Sequence, residues 1–344
     1  MQNEAIRAVH FVGSFPAATP EEAMRAMLSA DALHTLPTGE THRYEYYIQP
    51  VIEDLVRQGA LEVKRQGSWQ SSRQRTIHRP ARGTWLTADR MDLGYLREAA
   101  AVLPLFHRLR GDRELALQIG MPTDFTLAFI AVGPGGLRAN RAAFTAATVR
   151  EITAIRELAG DDVLIQLEAT AELVIAARLQ PAHRRADAVL GLSRGIAALA
   201  AAAPAGTRFG VHLCVGSLHN RARVRLHDTR PLVDLANAVA GQWPAGRSLE
   251  FVHGPLAAGD VPPPADPAFY APLRDLALGP GTRFHAGFVH DTPSAAEQER
   301  TLRTVEQALG RRVDAVASAC GLGRVPRDVA DRLVTRAIAL AAAG

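Results

Sequence analysis

The sequence predicts an α/β fold closed as a (β/α)8 barrel, the TIM-barrel arrangement, and three observations carry that reading. Eight mostly apolar segments recur along the chain, and each is followed by a stretch of helical periodicity. These segments are apolar over nearly their whole length, as strands of a parallel sheet covered by helices must be. No G-x-G-x-x-G follows the first of them, which removes support for an open dinucleotide-binding sheet. At 344 residues the chain accommodates a single barrel spanning 1–344, with an insertion after the second strand, and it shows neither a second domain nor short repeats.

The first strand is expected over 8–16, ending in the turn Gly13-Ser14-Phe15-Pro16. A helix over 21–30 follows, with Thr19 as its N-cap and Pro20 at its first position. A second strand over 32–40 stops at Gly39-Glu40. Residues 41–112 read as an insertion or lid, with an aromatic patch (Tyr44, Tyr46, Tyr47), a helix and a polar stretch rich in Gln, Arg and Ser. Further strands are expected at 114–122, 161–170, 209–217, 248–255, 282–291 and 313–321. Helices are expected at 137–159, up to about 203, and at 231–241, 294–309 (capped by Thr292) and 327–343.

Hydrophobic residues make up 47% of the chain and charged residues 22%, as in a soluble globular protein. No apolar run reaches the ~20 residues of a membrane span, and the N-terminus lacks the layout of a signal peptide, so a cytoplasmic protein is expected. The net charge is +4 and the pI about 9.5, yet Lys64 is the one lysine and the arginines are interleaved with acids. That is not the clustered basic stripe of a nucleic-acid binder, although it leaves room for a basic cleft. Two cysteines far apart, Cys214 and Cys320, form no disulfide framework.

Barrel enzymes place their chemistry at the C-terminal ends of the strands. The polar residues expected there are Ser14, Glu40, Glu168, His212, Cys214, Glu250, His290, Asp291 and Cys320. Strand alternation puts His212 and Cys214 on one face. With Glu250 and Cys320 they make an N/S/O set suited to tetrahedral Zn²⁺. His253, three residues after Glu250, either competes for the same place or simply faces solvent.

In this order the motifs resemble the catalytic barrel of cobalamin-independent methionine synthase and of related single-barrel zinc-dependent thiol alkyltransferases. Gly13–Pro16 is similar to that family's first-strand motif, and Gly39-Glu40-Thr41-His42-Arg43 to its G-E-x-x-R. Ile165–Ala169 is similar to the QxDEP strand, with a Pro and a second carboxylate lost. His212-Leu213-Cys214 matches the zinc H-x-C, Leu249–Phe251 the strand of the zinc Glu, and Ala319–Arg324 the final zinc Cys. The resemblance implies Zn²⁺ held by His212, Cys214, Glu250 and Cys320. It implies a homocysteine-like thiol bound through Ser14, Glu40 and Glu168 and methylated as a zinc-activated thiolate, as in methionine biosynthesis, with His290 as proton donor. The alkyl donor it implies is a methylfolate or a methylcorrinoid, the latter free or on a corrinoid protein, with no nucleic-acid or membrane partner.

Two other readings stand beside this one. A metal-free barrel like uroporphyrinogen decarboxylase would use the arginines for a polycarboxylate and leave both cysteine motifs unexplained. A non-catalytic zinc- or corrinoid-binding subunit would use the metal site alone. Glu40 also reads as a loop carboxylate paired with Arg43, His290-Asp291 as a helix-entry turn, and Trp69 as lid packing.

Overall fold

The computed structural model describes residues 7–41, 47–69 and 74–343; His42, Arg43, Tyr44 and Tyr46, named above, lie outside these. The chain runs β1 (Ala8–His10), α1 (Pro20–Met27), β2 (Thr35–Pro37), α2 (Gln49–Arg57), β3 (Leu61–Arg65), β4 (Ile77–Pro80) and α3 (Tyr95–Arg110). It continues through β5 (Ala116–Pro122), α4 (Asp124–Ala159), β6 (Val163–Ala169), α5 (Thr170–Arg178), α6 (His183–Leu190), α7 (Leu192–Ala202) and β7 (Arg208–Leu213). Then come α8 (Arg230–Gly241), β8 (Ser248–Pro255), α9 (Pro267–Tyr270), β9 (Arg283–Val289), α10 (Ala295–Leu309), β10 (Ala315–Ser318) and α11 (Arg327–Ala342).

Eight of these strands form one parallel sheet in the order β1-β10-β9-β8-β7-β6-β5-β2. Its two end strands face each other across the seam. Two backbone bonds bridge it, Val9 N–H to Ala32 O at 2.8 Å below and Phe15 N–H to Gly39 O at 2.8 Å above. The result is the (β/α)8 barrel that the alternation of apolar strands and helices predicts. The helices pack on one another around the outside, and strand leucines such as Leu36, Leu117 and Leu167 are fully buried between sheet and helices. Each such side chain contributes about 1.5–3 kcal/mol by leaving water. Among the described residues, no helix is long and apolar enough to cross a membrane.

The barrel interior is unusual in its chemistry. Branched aliphatic residues ordinarily fill this space. Here Gln118 of β5 donates through Nε2 to the carbonyls of Phe11 (3.0 Å) and Val12 (2.9 Å), and Gln166 of β6 donates to Val12 O (2.6 Å). Those carbonyls are satisfied from across the barrel and not by a neighbouring strand. This is why β1 ends at His10 although the apolar pattern runs on. His10, Phe251 and His285 then stack together in the same interior, with ring centroids 4.4–4.7 Å apart.

Between β2 and β5 the chain forms an antiparallel hairpin, β3–β4, that its polar composition conceals. Helix α4 begins at Asp124, well before the expected Leu137. Thr123 caps it by accepting from Thr126 N–H at 3.0 Å, and a kink at Gly133 (φ +70°) and Pro134 separates its first leg from the long second one. Thr19 caps α1 as expected. The cap of α10 is Ser294 in a capping box with Glu297, not Thr292.

Candidate metal centre and its pocket

His212 is the fifth residue of β7, and Cys214 follows the strand's last residue, so alternation turns both toward the barrel mouth. Cys320 reaches them from the turn after β10. That turn is stapled to the first-strand loop: Leu322 N–H donates to Ser14 O (2.8 Å), and Gly323 N–H donates to Ser14 Oγ (3.3 Å). The two sulfurs lie 3.8 Å apart, and Cys320 Sγ is 3.9 Å from His212 Nε2. All three ligand atoms fall within 4.8 Å of one another.

These spacings fit a metal. Two sulfurs each about 2.3 Å from a tetrahedral zinc are separated by about 3.8 Å, which is the distance observed between Cys214 and Cys320. The donor types, two thiols and an imidazole, are those zinc prefers.

The sulfurs also sit in an electropositive surrounding. Gly216 N–H donates to Cys214 Sγ at 3.3 Å, and Ser217 Oγ lies 3.0 Å from Cys320 Sγ. Arg324 Nη1 is 3.0 Å from that hydroxyl and 3.8 Å from Cys320 Sγ. The hydrogen bond from Cys214, with the Arg324 guanidinium adding to it, holds the Cys320 thiol well below its usual range. The same contact, together with burial, pushes Cys214 up. The pair therefore releases its first proton readily and its second reluctantly.

Glu250 does not join this group. It precedes His253 by three residues on β8, and its carboxylate is held by Arg208 (2.5 Å) and Arg283 (3.0 Å). Phe251 and His253 occupy the inward positions of that strand, so alternation turns Glu250 outward. His253 is the residue of β8 that touches the centre: its Nδ1 is 2.7 Å from Nδ1 of His212, and its Nε2 is 3.0 Å from Ser318 O. Burial, with His212 and His10 nearby, keeps the His253 imidazole well below its usual range and hence neutral.

His290 is also placed apart. Its Nε2 lies 3.0 Å from Gly259 O, Thr292 N–H donates to its Nδ1 at 3.2 Å, and it does not line the pocket. Its Nε2 ties the β9 loop to the β8 loop and its Nδ1 holds the turn into α10, the helix-entry reading of this residue.

Ser14, Glu40 and Glu168 line the same cavity as the three ligands, a space of about 320 Å³. A positive φ of 47° at Glu40, after Gly39 at 83°, turns that carboxylate inward. Glu40 and Glu168 converge over Gly120, where a Cβ would lie 2.8 Å and 2.7 Å from their Oε1 atoms. Two carboxylates meeting in a buried recess suit a cationic group such as an ammonium. The outer wall comes from the β3–β4 hairpin, with Arg65, Trp69 and Arg75; Arg75 Nη2 donates to Phe129 O (2.6 Å) with its guanidinium 4.9 Å from that ring.

Sequence reading missed the hairpin wall, Arg324 beside the sulfurs, and the His212–His253 contact. The inward parity of His10, His212, His253 and His285 is the signal that points to the last of these.

No family model and no curated protein matches the chain. Solved structures do share its fold. A B12-independent methionine synthase from Shewanella sp. W3-18-1, in complex with selenomethionine, superimposes with a TM-score of 0.63 at 15% identity, over 98% of this chain and 97% of its own. A methyltransferase from Methanosarcina mazei gives 0.53 at 12% identity, over 97% and 93%. At such identities the likeness is one of fold: along nearly its whole length, this chain is built like the barrels of these two proteins.

Proposed function

We propose that the chain is a zinc-dependent alkyltransferase that moves a methyl or related alkyl group onto the sulfur of a homocysteine-like thiol. The observation that carries this reading is the 3.8 Å separation of the Cys214 and Cys320 sulfurs, with His212 Nε2 at 3.9 Å from the second. His212, Cys214 and Cys320 would hold the metal, and three protein ligands, not four, are the pattern of catalytic sites that admit a substrate atom. Zinc, when bound, supplies Lewis acidity that brings a sulfhydryl's pKa down to the neutral range.

The other roles belong to the chain's own side chains. Glu40 and Glu168 accept the acceptor's ammonium over Gly120. Ser14, beside Gly13 in the same wall, offers backbone N–H to its carboxylate. These contacts fix the thiol's direction of approach, which lowers the entropic part of the barrier. The segment 41–112 acts as the lid, its hairpin bringing Trp69 and arginines to the side from which an alkyl donor, a methylfolate or a methylcorrinoid, would enter. Glu250 and His290 take no part in this reading.

The test is transfer itself. Zinc-loaded protein is incubated with homocysteine and, in separate reactions, methyltetrahydrofolate or methylcobalamin, and methionine is measured by mass spectrometry. Methionine formed with one donor and abolished by Cys214→Ser supports the reading. Absence of S-methylation with any donor by protein that carries zinc would refute it.

A further inference from the structure

Four imidazoles, those of His10, His212, His253 and His285, share the barrel interior, and one of them touches the ligand set without belonging to it. The His212 and His253 Nδ1 atoms are 2.7 Å apart, and His253 Nε2 stands 3.0 Å from the Ser318 carbonyl oxygen. These two contacts fix every proton along the row. A carbonyl oxygen only accepts, so His253 carries its hydrogen on Nε2. A neutral ring then has a lone pair at Nδ1. His212 must fill that contact with its own Nδ1–H, which in the neutral ring that a metal requires leaves the lone pair on its Nε2. That nitrogen is the one 3.9 Å from the Cys320 sulfur.

The row is built into the barrel. His253 is fully buried, and its ring is seated over Gly287 of β9, where a Cβ would lie 2.6 Å from Nε2 and 2.9 Å from Cε1. Ser318 is the last residue of β10, two residues before Cys320, so the same short segment supplies both the acceptor for His253 and a sulfur.

We infer that His253 is the positioning residue of the centre: by accepting from His212 it locks that ring in the tautomer whose Nε2 can bind a metal, and it is not itself a ligand. The metal part rests on the zinc reading above; the tautomer part rests on hydrogen bonds alone. Partners of this kind orient metal-binding histidines and, when removed, weaken metal binding.

Two measurements on the full chain test it. In metal-free, ¹⁵N-histidine-labelled protein, NMR is expected to show the Nδ1–H tautomer at His212 and the Nε2–H tautomer at His253. The signals are assigned by those that vanish in His212→Gln and His253→Asn, and the opposite tautomer at His212 overturns the inference. Zinc affinity, by chelator competition, is expected to fall about 10–100-fold in His253→Phe. His253→Asn, whose Oδ1 stands where Nδ1 stood, is expected to stay near wild type, whereas His253→Gln follows the Phe variant. Gly287→Ala, which displaces the ring and removes no donor, is expected to weaken zinc as well.

Cobalt-loaded wild type and His253→Asn are expected to share one visible spectrum. A changed spectrum, with Asn losing as much affinity as Phe, would make His253 a ligand and overturn the inference. The expected tautomers in a wild-type protein that takes up no zinc would overturn both the metal role and the zinc reading, leaving only the hydrogen-bonded row.

Discussion

Gly120 and Glu168 are so close that a methyl group on the glycine would sit 2.7 Å from the carboxylate's Oε1. Glu40 Oε1 crowds the same point at 2.8 Å, so the missing side chain at 120 is what lets two acidic groups meet. Gly120→Ala must push one or both aside. It is expected to raise KM about 10-fold for an amine-bearing thiol, equivalent to about 1.4 kcal/mol, and to change KM little for a thiol without an amine. Overpacking should also cost about 1–3 kcal/mol of stability, read as a lower Tm. Equal effects on both thiols would remove the ammonium from the role given to Glu40 and Glu168.

Glu250 pairs with two arginines and stands apart from His212, Cys214 and Cys320. Its carboxylate joins Arg208 and Arg283 and is partly exposed at 18%. Glu250→Gln is expected to leave zinc content unchanged and to destabilise the fold by about 1–2 kcal/mol, below the cost of breaking a fully buried pair. Metal analysis and urea denaturation check the two halves. Loss of zinc in this variant would return Glu250 to the ligand set.

Glu172, fully buried at the start of α5, makes stability depend on pH. The hydroxyls of Thr123 and Thr126 lie 2.5 and 2.6 Å from its two oxygens, and burial raises its pKa to about 7 from 4.5. The folded state therefore binds this proton more tightly than the unfolded chain does. Its stabilising contribution is complete below the unfolded value and is lost as pH rises toward the folded one. Between about pH 5 and 8 the wild type should lose about 2–3 kcal/mol relative to Glu172→Gln. Parallel urea-unfolding profiles for the two proteins would contradict this.

What the sequence reveals and what it hides follow from distance along the chain. The H-x-C pair is legible because alternation on one strand is a local rule, and Cys320 because it ends an apolar strand. Glu250 and His253 could not be separated locally, since they lie three residues apart on opposite faces of β8. Which face is inward depends on barrel closure and on a register shift near Phe209/Gly210. The early end of β1 is hidden for a similar reason: Gln118 and Gln166, more than 100 residues away, take its carbonyls. The β3–β4 hairpin escapes notice because strands such as Leu61–Arg65 bury little: the apolar alternation is confined to Leu61 and Val63, and Val63 stays exposed.

The central claim is that Cys320 closes a metal centre with His212 and Cys214. Elemental analysis of untagged, freshly reduced protein tests it most directly, with wild type beside Cys320→Ser. The prediction is about one zinc per chain in the wild type and a loss of most of it in the variant, because a structural or catalytic site rarely survives removal of a thiolate ligand. A wild-type protein that neither carries zinc nor takes it up, or a variant that holds it as firmly, would contradict the account.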